Sequence, residues 1–284
     1  MPSTLAPTTP VDCLTLTFVD VETTGLDVAQ GDRVCEVALL QVRGMQEVGR
    51  FTSLVYPGRP MPARSTLVNG ITDTMLAAAP LFSAILPTIR DMLHDTVLVA
   101  HNARFDVRFL RYEFARAQQP FEQMAVVDTL ALAQAWYTFP HNSLEAIASA
   151  LGLDNTIRHR AMADVLTTWK IWQRFIADRQ TLGPLTLTHL MHPNDSRSMA
   201  ELELLTTTLY EGLSAHMPLR LHYRASNAEE TQRVIQPLEL QYAYGHSYLR
   251  AYCHMRRDER HFRLDRIMAL ERLSEIPRQV DGQG

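Results

Sequence analysis

Leu14 to Thr17 alternate apolar and β-branched residues, and the pattern continues through Phe18-Val19-Asp20-Val21-Glu22 until Thr23-Thr24-Gly25-Leu26 breaks it. A period of two predicts a strand with one face turned to a core. Arg33 to Arg43 is a second apolar run, closed by Gly44, and Phe51 to Tyr56 a third, stopped by Pro57-Gly58. Three strands on short connections predict an antiparallel meander. Pro62 to Ala79, with Asn69-Gly70-Ile71-Thr72, reads as a loop or short helix. Apolar residues then fall at helical spacing over Phe82–Leu93 and again over Phe105–Ala117, on either side of a short buried strand at Val97–Ala100. Val126–Thr129 is another short strand, followed by helices near Leu130–Trp136, Ser143–Leu151 and Ala161–Asp178. Strands first, then strands alternating with helices, imply an α/β layer fold with a mixed sheet.

The pattern changes near Thr181. Residues 181–198 carry Gly183, Pro184, Pro193, Asn194, Asp195 and Ser196, the composition of a linker. Met199–His216 has helical spacing. Five short strands follow, at Leu219–Tyr223, Arg233–Pro237, Leu240–Tyr244, Tyr248–Tyr252 and Arg260–Leu264. Short strands at this interval predict a small all-β barrel. The expected organisation is a disordered lead-in over 1–13, an α/β domain over 14–180, a linker over 181–198, and a helix plus β-barrel domain over 199–284.

Composition narrows the classes. A length of 284 residues with 46% hydrophobic and 20% charged residues suits an ordinary globular protein of about two domains. No apolar run nears the roughly 18 residues of a membrane span, and residues 1–10 lack the features of a signal peptide. Cys13, Cys35 and Cys253 are few and far apart, which suggests reduced thiols in a cytoplasmic protein. The formal net charge of −4 does not advertise a nucleic-acid binder. Lys170 is the only lysine, so nearly all positive charge is Arg, which suits bidentate phosphate contact or reflects a compositional bias.

The acidic residues carry the chemistry. Asp20 and Glu22 lie two apart on a strand and so share a face. Their repulsion and loss of hydration call for compensation, for which a divalent cation is the usual remedy; the other reading is a solvated strand end with two unrelated acids. Asp106 falls in the first turn of a helix that follows His101-Asn102 at a strand end. Its other reading is a helix-dipole acid. His159 precedes the Ala161 helix and Asp164 lies in its first turns; taken alone, a histidine here is more often a surface or satisfied residue than a base. Asp128 is a weaker candidate with a structural alternative.

Together these residues resemble the DEDDh group of the DEDD exonuclease superfamily, the DnaQ-like 3′–5′ exonucleases with a ribonuclease H-like fold. Asp20-Val-Glu22-Thr-Thr-Gly matches the first family motif, His101-Asn102-x-x-Phe105-Asp106 the second, and His159-x4-Asp164 the third. The resemblance covers about Leu14 to Asp178. Arg160 stands where the sister DEDDy group has tyrosine. The resemblance implies that Asp20, Glu22, Asp106 and Asp164 hold two divalent ions, Mg²⁺ or Mn²⁺. It makes His159 the base that takes a proton from the attacking water, a role apt for an imidazole. It also implies release of nucleoside 5′-monophosphates from the 3′ ends of single-stranded DNA or RNA. Thr23 would sit near the terminal 3′-hydroxyl and Leu26 against the base. His101 and Asn102 either touch substrate or order their loop.

Leu219 to Ile267 resembles a second family, the WYL domain, with its Sm-like, SH3-type barrel. The residues that carry this are Leu221-His222-Tyr223, Arg233-x-x-x-Pro237-Leu238, Tyr248-Leu249-x-Ala251-Tyr252-Cys253 and Arg260-x-Phe262-x-x-Asp265-Arg266-Ile267, with Ser247 in place of the name-giving Trp. The resemblance implies a nucleotide or nucleic-acid ligand. Arg220, Arg233, Arg260, Arg263 and Arg266 would make a phosphate-binding face, and Tyr248 and Phe262 would stack on bases. In the other reading the aromatics are core and the arginines pair with acids. The leading expectation is a metal-dependent 3′–5′ exonuclease acting on single-stranded DNA or short oligonucleotides, with a regulatory or binding module. The alternative is a nucleic-acid or nucleotide sensor whose nuclease fold mainly binds.

Overall fold

The computed structural model describes residues 8–122, 124–153, 159–193, 199–243 and 246–274. The described chain divides after Pro193 into two compact units.

The first unit opens with β1 (Thr15–Thr23), β2 (Val34–Arg43) and β3 (Gln46–Leu54). Then come α1 (Ala63–Asn69), α2 (Asp73–Leu76), α3 (Phe82–Leu93), β4 (Val97–Ala100), α4 (Arg104–Arg116) and β5 (Val126–Asp128). It ends with α5 (Thr129–Trp136), α6 (Leu144–Ala150), α7 (Ala161–Gln180) and α8 (Leu187–Met191). The five strands form one sheet in the order β3-β2-β1-β4-β5. The first three are antiparallel, and β1, β4 and β5 run parallel. This is the mixed sheet with flanking helices that the sequence predicts.

Alternation along β1 decides which side chains reach the site. Leu16 and Phe18 of β1, and Ala38, Leu40 and Val42 of β2, pack with Val165, Ile171, Trp172, Phe175 and Ile176 of α7. Phe18 meets Trp172 edge to face at 5.8 Å. Asp20 and Glu22 continue the Phe18 face, and Glu36 continues the Ala38 face, so all three turn toward α7. The other face of the sheet meets α3, where Thr17 and Gln41 both donate to the carbonyl of Met92.

Several boundaries differ from expectation. Thr9 to Cys13, read as part of a disordered lead-in, is held in place: Val11 N–H donates to Leu185 O and Leu187 N–H to Thr9 O, each at 3.0 Å. The stretch read as linker from residue 181 carries α8, and Leu185, Leu187 and Leu190 lie in the first unit's core. Its Gly and Pro flank a short helix instead of a connection. Residues 1–7 and 194–198 lie outside the described residues. β3 starts at Gln46 and not at Phe51, because β2 pairs with its polar, exposed first half. Residues 62–79 contain α1 and α2.

The second unit is α9 (Met199–Ser214) and an antiparallel sheet of β6 (Leu219–Arg224), β7 (Glu230–Ala243), β8 (His246–Cys253), β9 (Asp258–Arg263) and β10 (Ile267–Arg272), in the order β10-β6-β7-β8-β9. The two strands expected at Arg233–Pro237 and Leu240–Tyr244 are one long strand, β7, broken by a bulge between Pro237 and Glu239. A bulge accommodates the missing N–H of proline and bends the strand. β10 has no counterpart in the sequence reading. Met268-Ala-Leu-Glu-Arg272 is helix-prone, and pairing with β6 overrides that propensity. Leu205 and Leu209 of α9 pack with Leu219, Leu221, Ile235, Leu249, Phe262 and Ile267 in the core of this unit.

Candidate active site

Asp20, Glu22 and Asp164 come together where β1 ends beside the first turns of α7. Each offers a carboxylate oxygen, and the three oxygens lie within 4.8 Å of one another. Asp106 closes the site from α4: it is buried, and its Oδ1 accepts the Val21 N–H at 3.0 Å, between the two β1 acids. Burial pushes Asp20 well above the usual carboxylate range, and the charges of Asp106, Asp164 and Glu22 push it further. Burial and the charge of Asp164 raise Glu22 to about 7, while a hydrogen bond from Asn69 works the other way. Asp164 rises to about 6, again chiefly by burial, against the lowering charge of His159. Burial also lifts Asp106, opposed by the Val21 amide. Four converging acids with raised pKa values have too little positive charge near them. An oxygen-only donor set of this kind fits a hard divalent cation.

His159 sits just before α7 with a left-handed φ of 53°, an uncommon conformation for a non-glycine residue. Its Nε2 lies 3.2 Å from Glu145 Oε1 on α6. Thr23 is buried, and its hydroxyl donates to Gly25 O. Leu26 is 71% exposed at the rim. The intervening turn is built around Asp32, which accepts from Thr24 Oγ1, Asp27 N and Arg59 Nη1. Gly25 packs so closely on it that a Cβ there would lie 2.2 Å from Asp32 Oδ2.

His101 is committed inside the protein. Its Nδ1 lies 3.0 Å from Thr129 Oγ1 and its Nε2 3.0 Å from the carbonyl of Asn142. It orders its loop and presents neither nitrogen to a substrate, which corrects its reading as a substrate contact. Asn102 is exposed with a φ of 61°. Asp128 is structural: its carboxylate accepts the amides of Asn102, Ala103 and Leu130.

Sequence reading missed Glu36, Asn69 and Glu145. Glu36 is directly opposite Glu22 in the sheet and accepts from Arg160 through two guanidinium nitrogens and from Ala161 N. Its signal was a lone acid in an otherwise apolar strand. Asn69, buried at the end of α1, binds Ile71 N and lies against Cys35 and Glu22. Only the fold brings it there.

In the second unit the expected basic face does not assemble. Strand alternation puts Arg233 and Arg260 on the side of Ile235 and Phe262, and Arg220 and Arg263 on the other. Arg220 pairs with Glu271 and Arg263 with Asp265. Phe262 is core, edge to face with Tyr223 at 5.2 Å, so it is not a stacking platform. Tyr248 and Arg266 are half-buried, and Arg260 is exposed.

Comparison with known proteins agrees with this geometry. The family model described as Exonuclease matches residues 17–172, just over half of the chain, and the WYL domain model matches residues 205–272. The DNA polymerase III subunit epsilon of Treponema pallidum is 33% identical over 196 residues, covering 67% of this chain and 90% of that one. The PolC-type DNA polymerase III of Thermotoga maritima is 32% identical over 182 residues, 64% of this chain but only 13% of that protein. In fold, the nuclease domain of 3′hExo, a DEDDh family member, aligns with a TM-score of 0.52 at 16% identity, over 63% of this chain and 95% of that one. Members of the DEDDh group are 3′–5′ exonucleases that use divalent metals. With the acids, the histidine and the mixed sheet in place, the chain belongs to the DEDDh-type exonuclease family and carries a WYL domain after its nuclease unit.

Proposed function

We propose that the protein is a metal-dependent 3′–5′ exonuclease that releases nucleoside 5′-monophosphates from single-stranded DNA or short oligonucleotides. The observation that carries this reading is the convergence of Asp20, Glu22 and Asp164, with Asp106 and His159 beside them. Asp20, Glu22, Asp106 and Asp164 would hold two ions, Mg²⁺ or Mn²⁺. When bound, such ions stabilise the charge on the attacking and leaving oxygens of an in-line displacement. His159 takes the proton of the attacking water, and once protonated it forms an ion pair with Glu145 at 3.2 Å. Thr23 and Leu26 position the terminal nucleotide, and the exposed leucine gives a base an apolar surface. The two relatives described above, at 32% and 33% identity, are named as DNA polymerase III or a subunit of it, which favours DNA over RNA as substrate.

The WYL module acts in this reading as a binding or regulatory partner of the nuclease, for a nucleic acid or a nucleotide. Arg260, exposed on β9, is its most available cation of those singled out by sequence. The test of the whole is cleavage of 5′-labelled single-stranded and duplex DNA and RNA with Mg²⁺, Mn²⁺ or chelator. A metal-dependent ladder shortening from the 3′ end, absent in Asp164→Ala, is expected. Salt-dependent binding without cleavage would replace the enzyme with a sensor.

A further inference from the structure

α4 carries two acids, Asp106 and Glu113, and both are buried. Glu113 is occupied by Arg33, which it binds at 2.7 Å through two nitrogens. The other charged residues of the helix are Arg104, Arg108, Arg111 and Arg116. Arg104, Arg108 and Arg111 stand at i, i+4 and i+7 and so line one face. Solvated helix faces ordinarily mix signs. An arginine-only face is a departure in a chain with 31 acidic and 27 basic residues.

Arg108 ties this face to the catalytic rim. Its Nη2 donates to the carbonyl of Leu26, and its guanidinium lies 5.8 Å and 5.5 Å from the ring centres of Phe105 and Phe109. These interactions fix the group without neutralising its charge. Arg104 and Arg108 also lie about half a turn round the helix from Asp106. They therefore leave the negative charge of the carboxylate cluster intact; Arg104 is exposed and Arg108 half-buried.

We propose that this arginine face of α4 holds the phosphates of the substrate strand upstream of the nucleotide being removed. The inference rests on the exonuclease reading, which requires a polyanionic strand to pass the rim at Leu26. Arg108, bonded to the Leu26 carbonyl, stands at that rim, with Arg104 and Arg111 one turn to either side of it along the helix. Arginine suits the task because its planar fork binds phosphate oxygens bidentately.

The test uses the full chain and a fluorescein-labelled 20-nucleotide single-stranded DNA, with binding followed by anisotropy over a range of salt. The variants are Arg108→Ala, Arg104→Ala/Arg108→Ala, and, as a control on another helix, Arg174→Ala, whose partner is Asp178. Removing one arginine–phosphate pair is expected to flatten the slope of log affinity against log salt by about 0.7, and the double variant to bind about tenfold more weakly. Arg174→Ala should leave the slope as it is. An unchanged slope in the double variant, with its melting temperature intact, overturns the proposal. Hydrolysis of a p-nitrophenyl ester of thymidine 5′-monophosphate by the unmodified protein reports on the exonuclease reading by itself, so failure of either is seen separately.

Discussion

Arg160 reaches across from the start of α7 to grip Glu36 on β2, at 2.7 Å for its closest nitrogen, while Glu36 also takes the amide of Ala161. One buried carboxylate thereby satisfies an orphan donor at the helix N-terminus and fixes the turn between His159 and Asp164. Arg160→Ala should leave Glu36 buried with half its partners. The expected cost is about 2–3 kcal/mol, less than for a fully buried pair because Arg160 is 42% exposed. Activity should fall at least tenfold, and Arg160→Lys should recover only part of it, since lysine lacks the fork. Thermal melting and kcat measured together check this. Full activity in Arg160→Ala would show that the turn holds itself.

Removing a cluster acid should separate stability from activity. In the absence of metal, Asp20→Asn relieves repulsion among acids that burial and one another have pushed upward. A higher melting temperature of the metal-free protein is expected, together with loss of cleavage. A lower one would mean that Asp20 makes a stabilising contact.

The raised acids also fix a sign for pH. Glu22 near 7 and Asp164 near 6 bind more protons in the folded chain than in the unfolded one, where both titrate near 4. Stability linked to them is therefore present at low pH and declines as pH rises from about 4 to about 7. Metal-free protein should lose melting temperature over that window, and Glu22→Gln should lose less. Added Mg²⁺ or Mn²⁺ should raise the melting temperature more at about pH 7.5 than at about pH 5, because metal and proton compete for the same oxygens. Scanning calorimetry across pH decides it.

Gly25→Ala drives a methyl group into Asp32, whose carboxylate holds the turn together. A loss of about 1–3 kcal/mol is expected. The KM for oligonucleotides should rise as well, because Leu26 rides on that turn. A variant with unchanged stability and KM would show that Asp32 can step aside.

His159→Ala is expected to lower kcat strongly and flatten the acid limb of the pH–rate profile, with little change in melting temperature, since the side chain is 47% exposed. A parallel loss of stability would make it a structural residue.

The mixed sheet, most of its helices and the four carboxylates were legible in the sequence. Period-two and period-3.6 patterns report directly on which face is buried, whereas Asp-x-Glu alone leaves a solvated strand end open, and the carboxylates were legible as a set only through the three motifs that resemble the DEDDh group. Partners that depend on cross-strand register or chain crossing were not legible. Glu36 meets Arg160 across 124 residues, and Arg33 meets Glu113 across 80. His101 shows the opposite failure, in which a motif position looks available until Thr129 and Asn142 fold onto both its nitrogens. β10 was missed because its local propensity and its pairing disagree, and pairing prevailed.

The paired backbone of Thr9–Val11 and Leu185–Leu187 means that the two flanks of the nuclease unit are tied to each other. Pulling on either flank would load those few hydrogen bonds before it reached the sheet. Such a unit is expected to behave as a cassette: spliced into a longer polypeptide, or reopened at a distant surface loop and rejoined here, it should keep β1 and α7 holding the acids in register.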